Sequence, residues 1–440
     1  MRARAVSLHG SAGGAAFAVA LLMAGATGAE AQLNAENFAK LGFNFNAPGA
    51  RSAALGGAFI PLADDATAAE TNPAGLTILL YPQVSFEFKG VEYTRTLAEE
   101  AGGAPGGSEF TNQVPVPSFL SATLPLGTVT LAAFRHELVN YRSDVASSGA
   151  DFGGGVFLLP STSHLEMDVY NYGAAVAVKL GRFSVGASGG LSQLDLDVDF
   201  PRYEISQYDD AFLTNRLVVG AGSAELDDDG GEGTGFFLNG GVMFRLSESF
   251  SLGAVYKRRP SFDELEWRVV DRRGEEVDDP AIAAQDTFSF KIPDAFGGGF
   301  ALRPHELFTI SVDALVNKYS QIAASDALVF TRSAGRQELN ADDYVADDGL
   351  DIHAGAEYIL FLGAAPLALR AGAAQIAASN TYYIGTDPIE RQLWGTEPED
   401  ATLQFSAGVG TVLFERFQFD GAVVLGGDRR EAIGSIVIFF

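Results

Sequence analysis

The last ten residues, Glu431–Phe440, read E-A-I-G-S-I-V-I-F-F. Successive side chains of an extended backbone point to opposite faces, so Gly434, Ile436, Ile438 and Phe440 share one face and Ser435, Val437 and Phe439 the other. An aromatic chain end inside a strand is unusual for a soluble domain. The same period of two recurs upstream. Phe417, Phe419, Gly421, Val423 and Leu425 alternate with Gln418, Asp420 and Ala422. Leu403, Phe405, Ala407 and Val409 alternate with Gln404, Ser406, Gly408 and Gly410. Phe308, Ile310, Val312 and Ala314 alternate with Thr309, Ser311 and Asp313, and Phe250, Leu252, Ala254 and Tyr256 with Ser251, Gly253 and Lys257. Each time one face is apolar and the other is glycine, small or polar. A β-sandwich alternates in the same way, so this pattern establishes strands and leaves their arrangement open.

Connection lengths supply the asymmetry. Pro125-Leu126-Gly127, Gly181-Arg182, Ser247-Glu248, Pro304-His305 and Glu415-Arg416 are tight joints. Between them lie long acidic or glycine-rich stretches, 96–115, 143–166, 200–233, 272–284, 322–349 and 379–400. Short and long joints alternate, as in outer-membrane barrels with short periplasmic turns and long external loops; the last ten residues resemble the terminal strand of such barrels. The periodicity predicts strands over 83–94, 116–125, 128–142, 167–180, 182–199, 234–247, 249–271, 285–303, 306–321, 350–361, 366–378, 401–414, 416–426 and 431–440. The expected fold is all-β, a fourteen-stranded antiparallel transmembrane barrel with an even strand count and both ends on the periplasmic side.

Composition is consistent with apolar surface turned to lipid. Of 440 residues only 19% are charged, while glycine (51) and phenylalanine (33) are abundant; an ordinary soluble chain carries about 25% charged residues. The 56 acidic and 29 basic side chains give a net charge of −27, which repels nucleic-acid phosphates and excludes DNA or RNA as a partner. The absence of cysteine excludes disulfide scaffolds, Cys-ligated zinc, iron–sulfur clusters, thiol catalysis and a lipidated N-terminal cysteine. Arg2 and Arg4, the uncharged stretch 11–26 and the small-x-small site Ala29-Glu30-Ala31 predict a secretory signal peptide over 1–31. That stretch is shorter than the about 20 apolar residues of a membrane anchor.

Residues 32–82 do not alternate. From Gly49 to Leu76 they read GARSAALGGAFIPLADDATAAETNPAGL, with a turn signal at Asn72-Pro73-Ala74-Gly75. Disordered tails are usually polar, whereas Leu55, Ala58, Phe59, Ile60, Leu62 and Leu76 call for burial. The succession G-A-R-x-A-x-x-G-G-A-F, A-D-D-A and N-P-A-G, leading into a barrel, resembles the FadL-like family of outer-membrane transporters. The stretch FKIPDAFGGGFALRP at Phe290–Pro304 is similar to that family as well. The resemblance covers about 41–440, and its specific part is the N-terminal block. It implies that 32–82 forms a hatch inside a barrel of residues 83–440, with Gly56, Gly57, Asn72, Pro73 and Ala74 in the hatch. It also implies passive uptake of hydrophobic small molecules, such as long-chain fatty acids or aromatic hydrocarbons, across the bacterial outer membrane. A kink in the third strand would open the wall sideways. Here Val129, Leu131 and Ala133 point outward and the next apolar positions, Phe134 and Leu138, are out of phase. A slip over Ala133, Phe134, Arg135 and His136 therefore reads as a bulge, because one extra residue exchanges the faces.

Extrapolated alternation turns Lys257, Lys291 and Arg370 into the bore, together with His353 and Glu357. An interior cation can hold a fatty carboxylate through a charge-assisted hydrogen bond, or it can pair with Asp313, Glu357, Asp64 or Asp65. Phe59 is the apolar ligand-contact candidate in the hatch. Gly186–Gly190 matches G-x-S-x-G, but a nucleophile elbow needs a sharp strand-to-helix turn, and here the motif sits mid-strand. No catalytic residue, and no enzyme, is expected. The histidines show no H-E-x-x-H spacing, and the acidic groups at 195–199, 227–229 and 342–348 lack a calcium-loop spacing, so neither metal nor cofactor is expected. The expected partners are a hydrophobic small-molecule ligand, outer-membrane lipid and lipopolysaccharide, around a monomer. The alternative is a non-transporting PorV-like barrel that serves a secretion system as a docking or shuttle protein. A lipid hydrolase and a general hydrophilic porin are the further rivals.

Overall fold

The computed structural model describes residue 45 and residues 48–96, 107–112, 117–147, 150–153, 156–158, 161–203, 212–218, 231–266, 268–271, 287–323, 343–363, 365–386, 391, 395–427 and 429–440. The expected signal peptide lies outside the described residues, as do most of the long connections. The wall consists of β1 (Gln83–Thr96), β2 (Pro117–Leu126), β3 (Val129–Ser147), β4 (Ser161–Leu180), β5 (Phe183–Tyr203), β6 (Gly231–Arg245), β7 (Phe250–Arg258), β8 (Ala295–His305), β9 (Phe308–Asn317), β10 (Gly349–Leu362), β11 (Ala365–Ile376), β12 (Thr402–Leu413), β13 (Phe417–Gly426) and β14 (Arg429–Phe439). Each pairs antiparallel with the next. The ring of fourteen closes where β14 pairs with β1, from Gln83 opposite Phe439 to Tyr93 opposite Arg429. A closed ring leaves no bare edge, which is what lets strands cross a bilayer.

Each of the fourteen strands read from periodicity overlaps one wall strand, with two internal differences. The expected strands 249–271 and 285–303 are each interrupted: β7 stops at Arg258, β8 starts at Ala295, and beyond the gap Ser261–Glu266 pairs with Thr287–Lys291 as a separate two-stranded sheet. Pro260 and Pro293 lie in the gap and have no N–H to give to a ladder. Arg259 replaces the lost bonds. Its backbone N–H donates to Asp294 (2.9 Å) and its guanidinium donates to the Pro293 carbonyl (2.9 Å) and to Asn317 Oδ1 (3.0 Å).

The alternation sorts the wall into two faces. Phe236, Leu238, Val242, Tyr256, Phe405 and Leu425 are exposed on the outside, an apolar surface far larger than a soluble monomer displays. Near the short-turn rim the rings of Phe183 and Phe244 stack at 4.3 Å, and Phe250 stacks on Phe300; aromatic belts of this kind mark the membrane interface. The inner face carries Ser188, Asn239, Ser311, Asp313, Glu357 and Ser406, all buried.

Burial of the inner face comes from residues 48–79, which pack inside the ring. They form α1 (Ala50–Ala54), α2 (Ala68–Thr71) and a 3-10 turn at Pro73–Ile78, and Leu55, Phe59, Leu62 and Leu76 are almost fully buried. The segment touches wall on all sides: Ala53 and Ala54 meet Ala422, Val424 and Ile433, while Phe59, Leu76 and Leu79 join a cluster with Phe119, Ala175, Met243 and Ala301. Inward glycines admit its backbone directly. A Cβ added at Gly186, Gly241, Gly253, Gly355, Gly372 or Gly408 would come under 3.0 Å from Pro73, Asn72, Ile60, Leu55, Gly56 or Ala54 respectively. Outward Gly240, Gly421 and Gly434 have nothing within 4 Å.

This contrast is testable. Gly355→Val puts a good strand former where the segment needs space, and overpacking costs about 1–3 kcal/mol. The variant barrel is expected to keep its heat-modifiable electrophoretic mobility while residues 48–79 become open to protease. Gly240→Val should leave both properties as in the parent chain.

Candidate functional site

The segment is fastened to the wall by charge pairs as well as by packing. Arg51, on α1, forks onto Glu357 of β10 (3.1 Å to each carboxylate oxygen) and also pairs with Asp64 (2.5 Å). Glu357 accepts from Arg370 of β11 (2.7 Å), which pairs in turn with Asp420 of β13. A chain of alternating charges thus runs from the segment through side chains of β10, β11 and β13. On the opposite side the buried Glu70 carboxylate accepts from Lys257 Nζ (3.0 Å) and Asn239 Nδ2 (3.0 Å), with His136 Nδ1 3.9 Å away. Burial by itself would push the Glu70 carboxyl up, but the Lys257 ammonium and its hydrogen bond outweigh this and hold it below the usual carboxylate range. A third anchor is Asp313 of β9, which accepts from the Ile60 N–H (2.7 Å).

Backbone geometry brings these anchors into register. Gly56 and Gly57 have φ of 68° and 84°, a left-handed conformation that only glycine adopts without strain; it turns the chain along β10 and β11, where His353 Nδ1 lies 2.7 Å from the Gly56 carbonyl. Asn72 caps the turn that follows. Its Oδ1 accepts from Ala74 N–H (3.2 Å) and its Nδ2 donates to the Ile60 carbonyl (2.9 Å). Pro73 then opens the 3-10 turn, where a missing N–H costs nothing.

Next to the Glu70 anchor the inner wall is aromatic. Phe134 lies 6.3 Å from Phe119 and 5.9 Å from Phe237, ring centre to ring centre. Both Phe134 and Phe237 bear on Gly173 of β4, where a Cβ would clash with their ring edges. These rings form a buried apolar cluster spanning β2, β3, β4 and β6, packed together with Leu76 and Leu79 of the segment and bordered by His136 and Asn239. At the short-turn rim a hollow opens beneath the segment.

Of the residues singled out in the sequence, Lys257, Arg370, Glu357 and His353 do face the bore, and all four bind the segment or one another. Lys291 lies outside the wall ladder and braces the gap at Pro293, donating to Asp294 (2.6 Å) and the Arg259 carbonyl. Phe59 is fully buried, with the Arg51 guanidinium 5.5 Å from its ring. The slip expected at Ala133–His136 lies further along. Ala132, Phe134 and His136 are buried and Ala133 exposed in unbroken alternation, and the shift against β4 falls between Glu137 and Val139. Phe134 is apolar because it faces the aromatic patch, so its hydrophobicity did not signal a change of face. Ser188 sits mid-strand with its hydroxyl 3.3 Å from Asn239 Nδ2. Asp347 accepts from Tyr382, and Asp348 pairs with Lys318 and accepts from Ser320. Among the described residues no group of three or more potential metal ligands forms. The sequence reading passed over Glu70, Arg51, Phe119 and Phe237. For Glu70 the available signal was a carboxylate in a block of small and apolar residues, to be matched with an inward lysine.

Glu70→Ala is expected to leave the Lys257 ammonium buried and unpaired, at a cost of about 3–5 kcal/mol; the denaturant concentration at which residues 48–79 lose protease protection measures it. Combining it with Lys257→Met should recover most of that loss. The depressed Glu70 carboxyl also sets a pH response. Its contribution is complete above the ordinary carboxylate pKa and disappears as pH falls through the lowered value, so protection should persist through mild acid and weaken only in stronger acid.

No protein-family model matches the chain, and no curated protein matches it in sequence. Solved structures do. A Pseudomonas aeruginosa FadL homologue is similar at 13% identity and TM-score 0.60, over 90% of this chain and 99% of that one. The Ralstonia pickettii toluene transporter TbuX is similar at 13% identity and TM-score 0.57 over the same shares. The CymD monoaromatic hydrocarbon channel is similar at 15% identity and TM-score 0.56, over 91% of this chain and 99% of that one. With the closed ring and its occupied bore, these likenesses establish that the chain has the fold of the FadL-like barrels.

Proposed function

We propose that the protein is a bacterial outer-membrane channel for the passive uptake of hydrophobic small molecules, long-chain fatty acids or aromatic hydrocarbons, with residues 48–79 as its hatch. The observation that carries this reading is the pairing of a filled bore with an aromatic patch. A segment sealed against inward glycines obstructs water and small polar solutes, which argues against a general porin. The cluster of Phe119, Phe134 and Phe237 is covered by Leu76 and Leu79 of the hatch, and a shift of the hatch would offer an apolar solute contacts there that water cannot match. The solved transporters of the same fold are described as toluene and monoaromatic hydrocarbon proteins, which supports the substrate class.

A lateral route fits the same place. The shift between Glu137 and Val139 interrupts the β3–β4 ladder close to the patch, and bulges bend the strand that bears them. A solute released there passes through the wall into the bilayer and never meets the periplasmic water.

Two measurements test the proposal. Cells lacking the gene should take up labelled toluene or oleate several-fold more slowly than cells regaining it; equal rates would overturn the channel reading and favour a secretion scaffold. Deleting Leu138 should regularise the ladder, preserve barrel mobility on gels, and reduce uptake. Unchanged uptake in that variant removes the lateral route and leaves the channel in place.

A further inference from the structure

The hollow at the short-turn rim has a volume of about 700 Å³ and lies between the underside of the inner segment and the ends of β4, β6 and β8. It is within the range of small-molecule sites, roughly 300–1,000 Å³. Four cations line it, Lys179, Arg182, Arg245 and Arg303, against two carboxylates, Asp64 and Glu248. A local excess of positive charge is unexpected in a chain with 56 acidic and 29 basic residues.

Strand phase aims three of these cations inward. Lys179, Arg245 and Arg303 follow the buried inward residues Ala177, Met243 and Ala301 by two positions each. Backbone bonds hold the strand ends together, Arg245 N–H to the Arg182 carbonyl (2.9 Å) and Arg303 N–H to the Ser249 carbonyl (2.7 Å). Arg303 is paired with Asp64 at 3.1 Å. Among the described residues the side chains of Lys179, Arg182 and Arg245 make no hydrogen bond and no ion pair within 4.0 Å, while Arg245 feels the attraction of Asp64 and the repulsion of Arg303 from further off. Like charges on neighbouring strand ends repel, and a ligand anion placed among them removes that repulsion. Leu62, Ile78 and Phe250 supply an apolar side to the same hollow.

We infer that the rim hollow is a binding site for an amphipathic carboxylate, with the carboxylate held among Lys179, Arg182 and Arg245 and the hydrocarbon against Leu62, Ile78 and Phe250. The inference deepens the channel reading and rests on it for the class of cargo; the hollow itself opens at the short-turn rim. Binding itself can be measured without transport.

The folded full chain in a nonionic detergent is titrated with octanoate and, separately, with octan-1-ol. Octanoate is expected to bind about tenfold more tightly, the scale of one or two charge-assisted hydrogen bonds. Lys179→Gln combined with Arg245→Gln should lower octanoate affinity by about tenfold and leave octanol unchanged. Salt at about 0.5 M should weaken octanoate binding by screening. Neither residue has a side-chain partner to lose, and heat-modifiable mobility reports that the barrel has formed; Arg182→Gln, in the turn, repeats the test if the double variant does not fold. Unchanged octanoate affinity in a folded variant overturns the inference, as does displacement of octanoate by an equal concentration of acetate, which marks a simple anion site. Toluene uptake by cells carrying the parent chain is scored apart: its absence refutes the channel, whereas octanoate binding alone decides the site.

Discussion

Each wall strand of this protein serves two surroundings at once. Lipid cannot hydrogen-bond to a peptide group, so every N–H and C=O in the bilayer must be matched within the ring, and the pairing of β14 with β1 achieves that. With backbone bonding committed to the wall, side-chain alternation is what remains to distinguish outside from inside. The outward set needs only to be apolar, and Phe236, Tyr256 and Phe405 face open space. The inward set has to fit another piece of polypeptide closely. Its glycines, serines and acids are the complement of residues 48–79, and a different inner segment would require a different inner wall.

Charge pairs inside the ring follow from the same confinement. Glu70 and Glu357 are buried inside the ring, and each carboxylate is surrounded by donors from two elements. Such buried pairs add little net stability over well-packed apolar groups, but they are costly to leave half-made. They therefore specify where the segment sits. Arg51 reaches Glu357 only when α1 lies against β10–β13, and Glu70 meets Lys257 and Asn239 only when α2 lies against β6 and β7.

The wall was legible in the sequence because alternation is a local property. Phe417 to Leu425, or Leu403 to Val409, announce their faces without reference to any partner. The contents of the bore were legible in kind, since Leu55, Phe59 and Leu76 could not remain in water, and the inward direction of Lys257 and Arg370 followed from phase. What each cation binds was not legible, because Glu70 and Lys257 are brought together by a fold that no spacing encodes. The β3 bulge shows the opposite hazard. Phe134 looked out of phase because the inner face was taken to be polar throughout, and an aromatic patch inside the bore breaks that assumption. The gap at Pro260 and Pro293 was visible as two prolines, yet the compensation by Arg259 depends on Asn317, a strand away.

The seam between β1 and β14 joins residues 83–93 to residues 429–439, whereas every other joint of the wall links strands that follow one another in the chain. Joining such remote stretches carries the largest loop-closure entropy of any pairing in the ring. The inner segment is tethered directly to one lip of this seam, since residues 80–82 lead straight into β1. Assembly order follows: the tethered piece must be gathered in while the sheet is still an open trough, and zipping of the final pair then locks it in. A cylinder completed without it would present a hollow lined with unpaired arginine, lysine and carboxylate groups, and the empty form would be penalised before any cargo was involved.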